Sequence, residues 1–112
     1  MIIGAPTNNM LNIADDISNA KQFKLFFIDK YKIIREEYCE NCFENGKFKI
    51  NEFLNKVPVS AIITKNIEEK LMVEFNNNNI IVKITNDTII TNAINDYLKE
   101  LILKESNYCC AP

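Results

Sequence analysis

The strongest pattern in the chain lies near its end, where Ile89, Ile90, Ala93, Ile94, Tyr97, Leu98, Leu101 and Ile102 recur as adjacent pairs about every four residues. Such spacing draws one apolar stripe along a helix, which Asp87 or Thr88 is placed to start. A shorter stripe, Ile67, Leu71 and Phe75, predicts a second helix. Asn66 can cap it, with Glu69 three residues on as the capping-box partner, and the run Asn76, Asn77, Asn78, Asn79 breaks it. Ile50, Phe53, Leu54 and Val57 fall at i, i+3, i+4 and i+7, the mark of another helix, and Pro58 ends it.

Elsewhere the pattern is that of strands. Residues 1–5 form a short apolar run stopped by Pro6. Residues 23–28 are strongly β-prone, Asp29-Lys30 marks a turn, and residues 31–38 read as the returning strand. Residues 59–64 and 80–84 are short apolar runs of the kind buried inside a sheet. Between these lie a polar stretch, 7–21, and a cysteine-bearing loop, 39–46, closed by Asn45-Gly46. Ile13, Ala14 and Ile17 allow a turn of helix in the polar stretch.

The predicted order is therefore β-β-β-α-β-α-β-α. An antiparallel meander followed by β-α units implies an α/β domain: a mixed five-stranded sheet of ribonuclease-H-like topology with helices packed on it. At 112 residues and 47% hydrophobic content, the chain fits one domain spanning 1–112, with 105–112 as a flexible tail.

Composition then removes several functions. Net charge is −2, so no basic excess exists to neutralise phosphates, and nucleic-acid binding is not expected. Histidine is absent, which excludes Ser–His and Cys–His catalytic pairs and imidazole metal ligands. No apolar run reaches the roughly 18 residues of a membrane span, and the first residues lack a signal-like basic and apolar pattern. A cytoplasmic protein with reduced thiols is expected.

The candidate chemistry lies in four cysteines. Cys39 and Cys42 form a C-x-x-C, which lets two thiolates reach one metal from a single loop or close a small disulfide ring. Cys109 and Cys110 are adjacent near the carboxyl terminus. Together the four make a thiolate set suited to zinc or an iron–sulfur cluster. The acidic pairs Asp15-Asp16 and Glu36-Glu37 read as solvated charge, and the first strand offers no carboxylate for a two-metal nuclease. No catalytic residue is therefore assigned.

From about Phe23 to Leu101, and loosely from Met1, the chain resembles the dinitrogenase iron-molybdenum cofactor biosynthesis family, the small nitrogenase accessory-factor domain. The similar segments are Val59-Ser60-Ala61-Ile62-Ile63, Phe75 leading to Asn79-Ile80-Ile81-Val82, and Thr88-Ile89-Ile90-Thr91-Asn92-Ala93-Ile94-Asn95-Asp96-Tyr97-Leu98. These are mainly packing positions. The chain departs from the family in three places. Ile17-Ser18-Asn19-Ala20 stands where members carry Phe-Gly-Arg-Ala. The cysteine loop replaces a loop with glycines and histidine, and Thr64 or Lys65 replaces a glycine. The resemblance implies the ribonuclease-H-like fold. It also implies a small non-enzymatic carrier for an iron–sulfur-type cluster or metal in cofactor assembly, serving a cluster-assembly or cofactor-recipient protein. Cys39 and Cys42 would then lie in an exposed loop near the ligand-binding region. The other expectation is a non-catalytic interaction module that keeps the fold but not the ligand, its cysteines being structural zinc ligands or free thiols.

Overall fold

The computed structural model describes residues 1–44 and 47–109, without the side chains of 43–44 and 105–109. Its elements are β1 (Ile2–Thr7), β2 (Gln22–Asp29), β3 (Lys32–Glu40), β4 (Phe43–Glu44), β5 (Lys47–Phe48), α1 (Ile50–Lys56), β6 (Ala61–Thr64), α2 (Glu69–Asn77), β7 (Ile81–Ile84) and α3 (Ile90–Cys109). Five strands form one mixed sheet in the order β3-β2-β1-β6-β7. β1, β2 and β3 pair antiparallel, whereas β6 lies parallel to β1 and β7 parallel to β6. This is the predicted α/β class with a mixed five-stranded sheet; β4 and β5 pair apart from it.

The sheet alternates cleanly, so each face carries its own core. One cluster joins Ile3, Ala5, Phe26, Ile28, Ala61 and Ile63 to Ile90, Ala93, Ile94, Tyr97 and Leu98 of α3. The other joins Phe23, Leu25 and Ile62 to Ile50 and Phe53 of α1 and Phe75 of α2. The result is three layers, with α3 on one side and α1 and α2 on the other. Gly4 faces the second side, where an added Cβ would stand 3.2 Å from Ile62 Cδ1. Of the predicted final-helix face, Ile90, Ile94 and Leu98 are buried and Leu101 packs against them, but Ile89 and Ile102 are exposed. The paired spacing is wider than the surface that the sheet covers.

Several boundaries differ from those predicted, each for a local reason. Pro6 does not stop β1. Its carbonyl accepts a 2.8 Å bond from Ala14 N–H, so its nitrogen edge faces the returning loop rather than β2, and no ladder donor is lost. Ile13, Ala14 and Ile17 form no helix: Ile13 packs on the α3 side and Ile17 on the other, because this loop wraps the end of the sheet. Asn66 does not cap α2, which starts after Glu68. The Asn66 amide instead donates to the Asp15 carbonyl at 3.1 Å, which ties the loop after β6 to the loop after β1. β3 runs on to Glu40 and so absorbs Cys39, and α1 begins at Ile50 after the short β4–β5 pair. The Asn45-Gly46 turn lies outside the described residues.

Candidate site at the cysteine end of the sheet

Pairing register decides where the thiols stand. Cys39 pairs with Phe23, and Phe23 with Pro6, so the three form one row across β3, β2 and β1. That row lies at the carboxyl end of β1, the end where open α/β sheets place ligands. Cys42 follows three residues after Cys39, and both belong to the core cluster shared with α1 and α2. The predicted exposed loop is therefore corrected. Cys42 is only 5% exposed and Cys39 is half-buried, because β3 continues through Cys39 and turns its side chain inward.

Asn41 holds the connection between them. Its side-chain amide donates to the carbonyls of Ile17 (2.7 Å) and Ala20 (2.8 Å), and its backbone N–H donates to the Lys21 carbonyl (3.2 Å). Its Oδ1 is buried and has no hydrogen-bond partner among the described residues. Beyond it, the Lys49 N–H donates to the Cys42 carbonyl at 2.6 Å, fixing the other side of the motif at the entrance to α1. Asn41 and Cys42 are thus clamped to different parts of the fold. The sequence does not reveal this role, since an asparagine between two cysteines reads equally well as a surface turn.

Neither Cys39 nor Cys42 is in a disulfide. Burial pushes the Cys39 thiol above its ordinary value, and the adjacent Cys42 sulfur adds to the rise. The Lys56 ammonium and a backbone hydrogen bond at Phe23 oppose it. The Cys42 thiol points to the Glu40 carbonyl at 4.0 Å. Lys56, from the last turn of α1, is the nearby cation that the linear pattern did not single out. Among the described residues, no three thiol or carboxylate side chains gather in a way that could hold a metal ion.

The second cysteine pair lies elsewhere. α3 starts at the cysteine end, where Ile90 N–H donates to the Leu11 carbonyl at 3.0 Å. It then runs about 30 Å along the opposite face of the sheet, anchored part-way by Glu100 to Lys83 of β7 at 2.9 Å. Its axis leads Cys109 away from Cys39 and Cys42. Cys110, and the side chain of Cys109, lie outside the described residues.

On the α1 and α2 side, an open cavity of about 410 Å3 is bounded by Ser18, by Lys47 and Phe48 of β5 and by Glu68, Lys70, Leu71 and Glu74 along α2; neither cysteine lines it. Phe48 gives it one aromatic wall, backed by the buried ring cluster. Phe48 stacks at 5.4 Å from Phe53 and 5.8 Å from Phe75, and Phe53 lies 4.6 Å from Phe23. Two ammonium and two carboxylate groups on its rim cancel in charge.

No protein-family model matches the sequence, and neither does any curated protein. Solved structures do. The chain is similar to PH0822 as seen in its crystal structure, with a TM-score of 0.76 at 19% identity, covering 89% of this chain and 90% of that one. It is also similar to MJ0327 of Methanocaldococcus jannaschii, called a "putative dinitrogenase". The crystal structure of that protein gives a TM-score of 0.74 at 21% identity, covering 89% of each chain. Its NMR structure gives 0.73 at 21% identity, covering 89% of this chain and 88% of that one. These likenesses span nearly the whole of each molecule and establish the fold. No described helix is long and apolar enough to cross a membrane.

Proposed function

We propose that this protein is a small non-enzymatic carrier whose cargo is a metal or an iron–sulfur-type cluster, taken by Cys39 and Cys42 and passed to a recipient protein. The observation that carries this reading is that two cysteines outside any disulfide lie close together at the carboxyl end of β1, the end where open α/β sheets commonly take ligands. Thiolates are strong ligands for soft and borderline metals. The fold shared with a protein called a putative dinitrogenase supports the same direction. Two thiolates are half the usual complement for zinc or an iron–sulfur cluster. The remaining ligands for such a cargo come from the recipient or a second chain, which is what a carrier requires.

A second reading has its own support. Both sulfurs sit in an apolar cluster, and burial favours the protonated Cys39 thiol. Those features suit an interaction module whose cysteines are packing residues. Anaerobic reconstitution with iron and sulfide, and separately with zinc, distinguishes the two. The carrier takes up metal and loses that capacity in Cys39→Ser while its melting temperature barely moves. Uptake of neither iron–sulfur cluster, zinc nor any thiol-seeking metal leaves the interaction module standing.

A further inference from the structure

The metal that Cys39 and Cys42 can hold by themselves is narrower than the list that cysteine chemistry allows. The ligand set is two sulfurs. The chain has no histidine at all, and among the described residues no third thiol or carboxylate joins the pair. Around the sulfurs stand the hydrocarbon side chains of the same cluster, including Phe23, Phe48 and Phe53. On one side Asn41 is tied to the 17–20 turn, and on the other Lys49 N–H is tied to the Cys42 carbonyl. The two sulfurs are thus presented from a braced segment.

Zinc completes a tetrahedron of four ligands, and iron–sulfur clusters are ordinarily held by four thiolates. Both are left half-coordinated here unless another molecule contributes. A monovalent, filled-shell soft cation is different, because it is satisfied by two thiolates in line and gains nothing from hard oxygen donors. We infer that Cys39 and Cys42 form a two-coordinate site for a monovalent soft metal ion of the copper(I) class. The inference rests on the reading of this pair as a metal site and names its cargo. Binding is a ligand exchange without electron transfer: Cu⁺ and two thiols give a bis-thiolate copper(I) complex and two protons. The complex carries one negative charge, and the Lys56 ammonium near Cys39 is positioned to offset it. Half-buried Cys39, on an edge strand, gives the ion its way in.

The test uses the full chain carrying Cys109→Ser and Cys110→Ser, so that Cys39 and Cys42 are the remaining thiols. Copper(I) is titrated without oxygen against a chromophoric copper(I) chelator, and X-ray absorption reports the coordination. The expected result is one copper(I) per chain, two sulfur neighbours, and a loss of about 100-fold or more in affinity in Cys39→Ser. Cys39→Ser is chosen because Cys42 is buried and its replacement risks the fold; circular dichroism confirms that the variant is folded. Three- or four-sulfur coordination through a second chain overturns the inference. So does preferential uptake of zinc or of an iron–sulfur cluster with no copper(I) bound, an outcome that keeps the carrier reading. If none of the three binds, both fall.

Discussion

Both sides of this sheet carry a buried apolar cluster, but they are built on different plans. On the α3 side one 20-residue helix lays Ile90, Ala93, Ile94, Tyr97 and Leu98 over Ile3, Ala5, Ala61 and Ile63, almost wholly with aliphatic groups. On the other side two helices of 7 and 9 residues, neither with a side-chain cap, close over Phe23 and Phe48 with Phe53 and Phe75. Helices that short are marginal in isolation, so the aromatic cluster fixes their position. It is this second side that holds the two thiols, the braced Asn41 and the open cavity. A long repetitive layer supplies the stability, and a shorter, more irregular layer is left able to present sulfur and charge.

The largest expected effect breaks the first layer. Ile94 is fully buried under α3, and Ile94→Asp puts a carboxylate there with no partner, at a cost of several kcal/mol. Against a typical total of about 5–15 kcal/mol, little folded protein should remain. A soluble variant with a near-native melting temperature would contradict the assigned packing. The next effect tests the second layer. Phe53→Ala removes a fully buried ring that touches Phe23 and Phe48 and should cost about 3–5 kcal/mol by urea denaturation. If α1 owes its place to that ring, Cys42 should also become alkylated well before the midpoint of global unfolding. Alkylation that tracks global unfolding would show the two layers to be one cooperative unit.

The difference between the layers also explains what could be read from the sequence. The α3 side was legible because a long helix repeats its spacing, and Ile90, Ile94 and Leu98 declare one face without help from the rest of the chain. The succession of strands and helices along the chain followed from the meander and the β-α alternation in the same way. What was hidden depended on contacts between distant residues. Pro6 stays in β1 because Ala14 returns to its carbonyl, and Asn66 is drawn off its capping role by Asp15. Cys39 is half-buried rather than exposed because β3 extends two residues beyond its predicted end to pair with β2. The Cys-x-x-Cys spacing marked the place where chemistry is possible, but not the burial that limits which chemistry.

A smaller effect concerns the brace. Asn41→Ala deletes both side-chain donors to Ile17 and Ala20 and also removes an unpartnered buried oxygen. The losses and the gain oppose each other, so about 1–2 kcal/mol of destabilisation is expected. The more telling measurement is the alkylation rate of Cys39, which should rise severalfold as the segment loosens. An unchanged rate would mean that the strand pairing alone positions the thiol.

The smallest effect probes a buried charge on the α3 side of the sheet. Lys24 is 7% exposed, and its Nζ lies 2.9 Å from Glu36 Oε1, 5.3 Å from the centre of the Phe26 ring and 5.5 Å from that of Tyr38. Burial alone lowers the ammonium pKa, but the bonds to Glu36 and Tyr38 outweigh it, and the net shift is upward. A lysine whose folded value exceeds its unfolded one adds stability that is complete below the unfolded value, about 10.4, and is lost as pH rises through the folded value. Since Glu36 is half-exposed, the pair is worth little at neutral pH. An apolar side chain of similar length can replace a buried charge without loss. Lys24→Met should therefore melt within about 1 kcal/mol of the unaltered protein at neutral pH. It should then gain on it as pH climbs past about 10.4, because the unaltered protein surrenders the ion pair there and the variant has none to lose. If Lys24→Met is instead destabilised by several kcal/mol at neutral pH, this face of the sheet depends on its charge, and the contrast between an aliphatic layer and a chemically furnished one no longer holds.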